Sequence, residues 1–86
     1  MSRSDILCIY IQFPMIKREY ECRVNLDNRF QDILEQLVVL KSEDFGDMYQ
    51  LSDLIIIQCN DTKQYCSMNE SLRTLRVKEG MTFKVY

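Results

Sequence analysis

The sequence contains no histidine and little glycine, and both shortages restrict the chemistry open to the chain. None of its 86 residues is histidine and two are glycine. Histidine is the commonest general base in enzymes and a frequent metal ligand. The two glycines, Gly46 and Gly80, stand apart and form no phosphate-binding loop. We therefore expect a protein that is not an enzyme and that holds no metal or cofactor.

Long apolar runs are also missing. A helix that crosses a bilayer needs about 20 apolar residues, and the N-terminal run from Ile6 to Phe13 is much shorter. Asp5 precedes this run and no cleavage site of small residues follows it, so the pattern is not that of a signal peptide. We expect a cytoplasmic protein that is not inserted into a membrane.

The composition that remains is typical of one small globular domain. Hydrophobic residues make up 47% of the chain and charged residues 28%, and a chain of this length has room for a single domain over residues 1–86. The formal net charge is -2, from 11 basic and 13 acidic residues. This balance does not indicate nucleic-acid binding.

The four cysteines lack the spacing of a metal site. Cys8, Cys22, Cys59 and Cys66 contain no C-x-x-C pair, and without histidine a thiolate site would need all four. We expect reduced cysteines that pack in strands as small hydrophobic residues. Cys59 and Cys66 flank a polar turn, which leaves open that they face each other across a hairpin.

Two carboxylate pairs are better explained by exposure than by catalysis. Glu19 and Glu21 fall on the polar side of an alternating strand, and Glu43 and Asp44 fall in an acidic loop over residues 42–53. Exposed carboxylates do not acquire the raised pKa that acid–base work requires. We interpret the loop as a solvated connection. A basic cluster nearby is balanced by the first carboxylate pair and is assigned no function: Lys17, Arg18 and Arg23.

Alternating apolar and polar residues predict an N-terminal hairpin. The inward positions of its first strand are every second residue from Leu7 to Phe13, and Pro14 ends that strand. The apolar positions of the second strand are Tyr20, Cys22, Val24 and Leu26.

Apolar residues at helical spacing then predict one helix from about Phe30 to Lys41. They recur at positions i, i+3, i+4, i+7 and i+8, namely Phe30, Ile33, Leu34, Leu37 and Val38. Asn28, with Gln31 three residues later, predicts an N-cap and a capping box.

The remaining residues predict three further strands. The apolar run from Leu54 to Cys59 predicts the third strand, and a turn over residues 60–63 leads to a short fourth strand over residues 64–67. The final strand follows Gly80, which suits a turn with positive φ. This order predicts an α+β fold of the β-grasp type, a mixed sheet with one helix packed on one face.

The chain resembles the ubiquitin-like superfamily, most specifically in its C-terminal stretch LRTLRVKEGMTFKVY. Members end in a short helix anchored by leucines, an apolar residue, a turn and an alternating strand. The matching residues here are Leu72, Leu75, Val77, Gly80, Phe83 and Val85. The resemblance implies a ubiquitin-like β-grasp, in agreement with the predicted order of elements.

Within that superfamily the chain is similar to the small, tail-less bacterial proteins associated with type VII secretion, the YukD/EsaB family. The similarity lies in length, architecture and the missing tail. It implies a non-catalytic accessory or regulatory subunit of a type VII secretion system, whose protein partners include secretion-system components.

Protein modifiers and sulfur carriers of the superfamily act through a flexible tail that ends in Gly-Gly. Here Tyr86 directly follows Val85, and no glycine lies beyond Gly80. The comparison implies a protein that is not conjugated. Two alternatives stay open: a modifier or sulfur carrier whose tail is missing from this chain, and an adaptor domain of a larger protein.

The expected functional surface is the sheet face opposite the helix. Strand parity directs every second residue of the first and last strands outward. Three consecutive isoleucines leave the parity of the third strand open, and we assign Ile55 and Ile57 inward and Ile56 outward beside Tyr86. The protein-binding residues that we expect are Tyr10, Ile56, Lys84 and Tyr86. Ordinary exposed apolar surface and a homodimer contact through the same face are the alternatives.

Overall fold

The computed structural model of the chain describes residues 5–41, 43 and 55–86. The elements are β1 (Ile6–Phe13), β2 (Arg18–Asn25), α1 (Phe30–Leu40), β3 (Ile57–Cys59), β4 (Tyr65–Cys66) and β5 (Thr82–Val85). Their order is the predicted one. Most of the predicted acidic loop lies outside the described residues.

β1 and β2 form the predicted antiparallel hairpin, closed by a turn that follows Phe13. In β1 every second residue from Leu7 to Phe13 is buried, and the residues between them are more exposed. β2 buries Val24 and half-buries Tyr20 and Cys22 on the same side. The hairpin therefore has one face in the core and one face turned outward, as its alternation predicts.

β5 lies in the middle of a five-stranded mixed sheet with the order β2-β1-β5-β3-β4. It pairs parallel with β1, where Ile11 lies opposite Phe83, and antiparallel with β3, where Ile57 lies opposite Val85. A strand of four residues thus connects the N-terminal hairpin to the β3–β4 hairpin.

Helix α1 covers the inner face of this sheet. Its buried residues are Phe30, Ile33, Leu34 and Leu37, and the ring of Phe30 meets that of Phe83 edge to face with centroids 4.9 Å apart. The helix, the sheet and the segment after β4 share one hydrophobic core. Among the described residues no helix is long and apolar enough to cross a membrane, and α1 has 11 residues.

The predicted capping box at the start of α1 is wrong. The N-cap residue is Arg29, whose side chain makes no capping hydrogen bond. Asn28 instead closes the turn after β2, because its Oδ1 accepts from the Asn25 N–H at 2.9 Å. The backbone N–H of Gln31 donates to the Met68 carbonyl at 3.1 Å. A long-range contact therefore satisfies a helix N-terminal donor that the sequence pattern assigned to a side chain.

The third strand begins later than predicted, at Ile57 rather than Leu54. Its regular ladder starts where Ile57 meets Val85 in β5, and Leu54 lies outside the described residues. The predicted parity is confirmed: Ile57 is buried and Ile55 packs partly against the core, whereas Ile56 is exposed. The fourth strand is also shorter than predicted and contains Tyr65 and Cys66 alone.

The cysteines on β3 and β4 share a face of their hairpin but are not directly opposite each other. Cys66 lies opposite Ile57, and the Cys59 N–H donates to the Gln64 carbonyl at 2.8 Å. Cys59 and Cys66 are therefore diagonal neighbours. All four cysteines are free thiols, and Cys59 is buried, in agreement with the predicted packing role.

The segment between β4 and β5 forms a turn where the resemblance to the ubiquitin-like superfamily implies a short helix anchored by leucines. Leu72 and Val77 are buried at its two ends, and the Val77 N–H donates to the Leu72 carbonyl at 3.0 Å. Arg76 closes the turn in the left-handed region with φ 58°, the position that glycine usually occupies in such a helix end. The left-handed backbone conformation of Arg76 was not predicted from the sequence.

Arg73 attaches this turn to the turn that follows β2 and to the residue that precedes β1. Its Nε contacts Asp27 Oδ1 at 3.2 Å and its Nη2 contacts Asp5 Oδ1 at 3.1 Å. The hydrogen bond to Asp5, with that to Asp27, raises the pKa of the Arg73 guanidinium further above its usual range. Its backbone N–H also donates to the Leu26 carbonyl at 2.8 Å.

Gly80 provides a stability test of the turn before β5. Its φ is +83°, and a Cβ built there meets nothing within 4 Å. Gly80→Ala should therefore lower the free energy of unfolding by about 1–2 kcal/mol through backbone strain alone. Urea denaturation measures the loss, and the exposed neighbour Lys78→Ala should change stability by less than about 0.5 kcal/mol. Equal stability of the two variants would contradict this account of the turn.

Candidate protein-binding site

The sheet has an outer face that α1 does not cover. Burial of every second strand residue under the helix directs the residues between them to the opposite side. We define the outer face by the side chains that the strand register places there: Ile6, Cys8, Tyr10, Gln12, Glu19, Glu21, Arg23, Asn25, Ile56, Gln58, Tyr65, Thr82, Lys84 and Tyr86. All four predicted binding residues belong to it.

Lys84 lies in the middle of the outer face. In the register of the sheet it is opposite Gln12 of β1 on one side and Gln58 of β3 on the other. Both glutamines are engaged with other groups: Gln12 Nε2 donates to Glu19 Oε1 at 3.4 Å, and Gln58 Nε2 donates to the Lys63 carbonyl at 3.2 Å. No carboxylate of the described residues forms an ion pair with Lys84. Its ammonium is thus available to an acidic group of a partner.

Ile56 and Tyr86 form the apolar part of the site. Their backbones exchange two hydrogen bonds, Ile56 N–H to the Tyr86 carbonyl at 3.3 Å and Tyr86 N–H to the Ile56 carbonyl at 2.9 Å. Directly opposite residues in such a pair have neighbouring side chains on one face. Ile56 is 50% exposed and Tyr86 is 47% exposed, so an aliphatic and an aromatic side chain stand together in solvent.

Tyr10 lies on the same face but at a distance from that pair. It is opposite Thr82 in β5, four residues before Tyr86, which corresponds to about 13 Å along the strand. Lys84 lies between the two positions. The four predicted residues therefore form an elongated strip along β5 rather than one compact spot.

Tyr65 is an outer-face residue that the sequence reasoning missed. It is opposite Gln58 and is 72% exposed. The signal was present, because a four-residue turn over residues 60–63 places Tyr65 and Gln58 opposite each other. Tyr65 extends the row of Gln12, Lys84 and Gln58 to the edge of the sheet.

Basic side chains surround one end of the outer face. A shallow depression there is lined by Gln12, Phe13, Pro14, Lys17, Arg18, Glu19 and Lys84. Three of these are cationic and one is anionic, so the local balance is positive although the chain as a whole is slightly acidic. This end of the face therefore favours acidic groups.

Two of the thiols in the sheet, those of Cys22 and Cys66, are poorly suited to nucleophilic chemistry. Burial raises the pKa of the Cys66 thiol, and the neighbouring Cys59 raises it further. Burial also raises the pKa of Cys22, with a smaller contribution from the charge of Glu21. Both remain protonated at neutral pH, whereas nucleophilic cysteines are thiolates. Within the described residues no group of three or more possible metal ligands occurs.

No protein-family model matches this chain, and no curated protein matches it. Solved structures match it over nearly its whole length. The ubiquitin of Caldiarchaeum subterraneum covers 93% of this chain and 90% of its own, with 15% identity and a TM-score of 0.67. The ubiquitin-like domain of an Arabidopsis thaliana protein covers 100% of this chain and 81% of its own, with 7% identity and a TM-score of 0.69.

This chain has a ubiquitin-like β-grasp fold. A further structure with this ubiquitin-like architecture is described as molecular mimicry of SUMO that promotes DNA repair. It covers 99% of this chain and 95% of its own, with 6% identity and a TM-score of 0.77. At such identities the likeness is one of fold, and the predicted α+β architecture of this ubiquitin-like domain is confirmed.

Proposed function

We propose that this ubiquitin-like domain is a non-catalytic protein-interaction module and that it binds its partner through the outer face of the sheet. The observation that carries the proposal is the exposed Ile56–Tyr86 pair beside Lys84, whose ammonium has no ion-pair partner among the described residues. A ubiquitin-like fold supports a role in binding proteins.

The chemistry of this face defines the partner that it suits. Ile56 and Tyr86 present apolar surface side by side on backbone that two hydrogen bonds join to each other. Aromatic side chains that become fully buried are frequent binding hot spots. Lys84 and the basic depression beside it favour a carboxylate next to the partner's apolar side chain. The expected partner therefore presents an apolar anchor flanked by acidic residues.

The absence of catalysis remains part of the proposal. The protonated thiols of Cys22 and Cys66 support it, and so does the lack of histidine from the whole sequence. Binding through a sheet surface requires neither a thiolate nor a histidine.

A narrower proposal is the accessory role in type VII secretion that the resemblance to the YukD/EsaB family implies, with the protein located in the cytoplasm. Its support is the likeness in the order of strands and helix. A purified membrane ATPase of a type VII system should then bind this domain in a calorimetric titration, and binding should weaken in the outer-face variant described next. Lack of binding by such ATPases would contradict the narrower proposal but not the broader proposal that this domain binds a protein partner.

The outer face is tested by replacing its exposed apolar pair. Ile56→Ser combined with Tyr86→Ala should reduce affinity for a captured partner by about 30-fold or more, the effect of losing about 2 kcal/mol of hot-spot binding energy. Both side chains are about half exposed, so the variant should unfold cooperatively at nearly the same denaturant concentration as the parent protein.

The matched control removes exposed apolar side chains from elsewhere on the molecule. Val39 and Leu40 on the helix are 76% and 77% exposed. Val39→Ser with Leu40→Ala should leave the affinity unchanged. Affinity that is retained by the outer-face variant and lost in this control would place the binding site away from the sheet.

A further inference from the structure

β2 is the long unpaired edge of the described sheet. It has eight residues and stands at one end of the strand order, whereas β4 at the other end has two. Proteins commonly protect sheet edges by making the edge strand short, by covering it or by placing charges on it. β4 is protected by its shortness. β2 has no proline and carries charges of both signs.

The backbone groups that β2 presents outward follow from the register of the hairpin. The Leu26 N–H donates to the Asp5 carbonyl at 2.7 Å, which makes Asp5 and Leu26 a directly hydrogen-bonded pair. Such pairs alternate along an antiparallel ladder. Even-numbered residues of β2 therefore bond to β1, and odd-numbered residues direct their N–H and C=O groups away from the sheet.

Three odd-numbered residues retain open backbone groups. Asn25 is already engaged, because its N–H donates to Asn28 Oδ1 and its carbonyl accepts from the Asn28 N–H, each at 2.9 Å. Glu19, Glu21 and Arg23 have no such backbone partner among the described residues. Their side chains are exposed on the outer face.

The order of charges along this edge is self-complementary. Glu21 and Arg23 lie two residues apart, on either side of Cys22, and neither is in an ion pair with another described residue. If an identical strand lies antiparallel with its two-fold axis at Cys22, each Glu21 faces the Arg23 of the second copy. Opposite charges at such positions stabilise strand pairing, and like charges oppose it.

We propose that a second copy of this chain pairs with β2 along its edge, antiparallel and with Cys22 on the two-fold axis. The contact joins two five-stranded sheets into one, with both helices on the same side. Glu21 and Arg23 of one copy exchange backbone hydrogen bonds and ion pairs with Arg23 and Glu21 of the other. Because the contact is isologous, it uses both β2 edges and stops at a dimer.

The neighbouring register is less favourable. A two-fold axis at Glu21 places that carboxylate opposite its own copy, which introduces a like-charge pair at the centre of the contact.

On the inner side of the sheet, the groove between β2 and α1 contains Leu40, which is 77% exposed. A second copy at the β2 edge extends the sheet beside this groove and reduces the exposure of that leucine. The contact between copies does not involve Ile56 and Tyr86, where the partner is proposed to bind.

Charge reversal tests the contact and its register together. Sedimentation velocity of the wild-type chain at submillimolar concentration should show a species with twice the mass of one chain. Glu21→Arg and Arg23→Glu should each be monomeric. The double variant, with both changes, should dimerise again, and an equimolar mixture of the two single variants should form a heterodimer.

Any other outcome of the charge-reversal experiment would contradict the proposal. A monomeric wild-type chain at these concentrations would overturn it, and so would a dimer that persists in both single variants. A monomeric double variant would overturn the Cys22-centred register, which predicts that exchanging the two charges restores the dimer. In a Glu21-centred contact Glu19 lies opposite position 23, so the double variant would gain a pair of like charges there. Circular dichroism of each variant establishes that the exposed substitutions leave the fold intact.

Cys22 supplies an independent check. In the proposed register the two Cys22 residues form a non-hydrogen-bonded pair with Cα atoms about 4.5 Å apart, within the range that a disulfide spans. Diamide takes up two hydrogens as the two thiols form one disulfide. At alkaline pH, where more of the Cys22 thiol is ionised, it should convert the wild-type dimer to a covalent one. Cys22→Ser should abolish the covalent dimer, whereas Cys8→Ser should retain it. A covalent dimer that survives Cys22→Ser would contradict the register.

Discussion

The pairing of β5 with strands on both of its sides is the constraint on which the rest of this structure depends. β5 has four residues, yet it bonds in parallel to β1 and antiparallel to β3. Its inward residues Phe83 and Val85 complete the core, and Phe83 contacts the helix through Phe30. The turn at Gly80 sets where the strand begins, and its position determines the register of both neighbours.

The same pairing creates the candidate site. Because side chains alternate along a strand, burial of Phe83 and Val85 directs Lys84 outward between two strands. Tyr86 continues the alternation and pairs with Ile56, the residue that precedes β3. Apolar and cationic groups are thus held next to each other by hydrogen bonds of the sheet. In the proposed binding role, specificity comes from the spacing of these surface side chains.

Local periodicity made much of the fold predictable from the sequence. β1, β2 and α1 follow their apolar patterns closely, and the left-handed conformation at Gly80 follows from its lack of a side chain. The features that were missed depend on contacts between distant residues. Asn28 is drawn into a turn with Asn25 instead of capping the helix, and the outward position of Tyr65 follows from the register of β3 with β4. The grouping of the site residues also depends on register, so that parity placed Tyr10 on the correct face without revealing its distance from Tyr86.

The most direct measurement of the central claim is site-specific photo-crosslinking to a protein partner in a lysate of the cells that make this chain. Photoreactive benzoylphenylalanine replaces Tyr65 on the outer face in one sample and Val39 on the helix in another. Both positions are exposed, but they lie on opposite sides of the core. The account predicts that position 65 forms a crosslink of defined mass and that position 39 does not. A crosslink from position 39 in the absence of one from position 65 would contradict it.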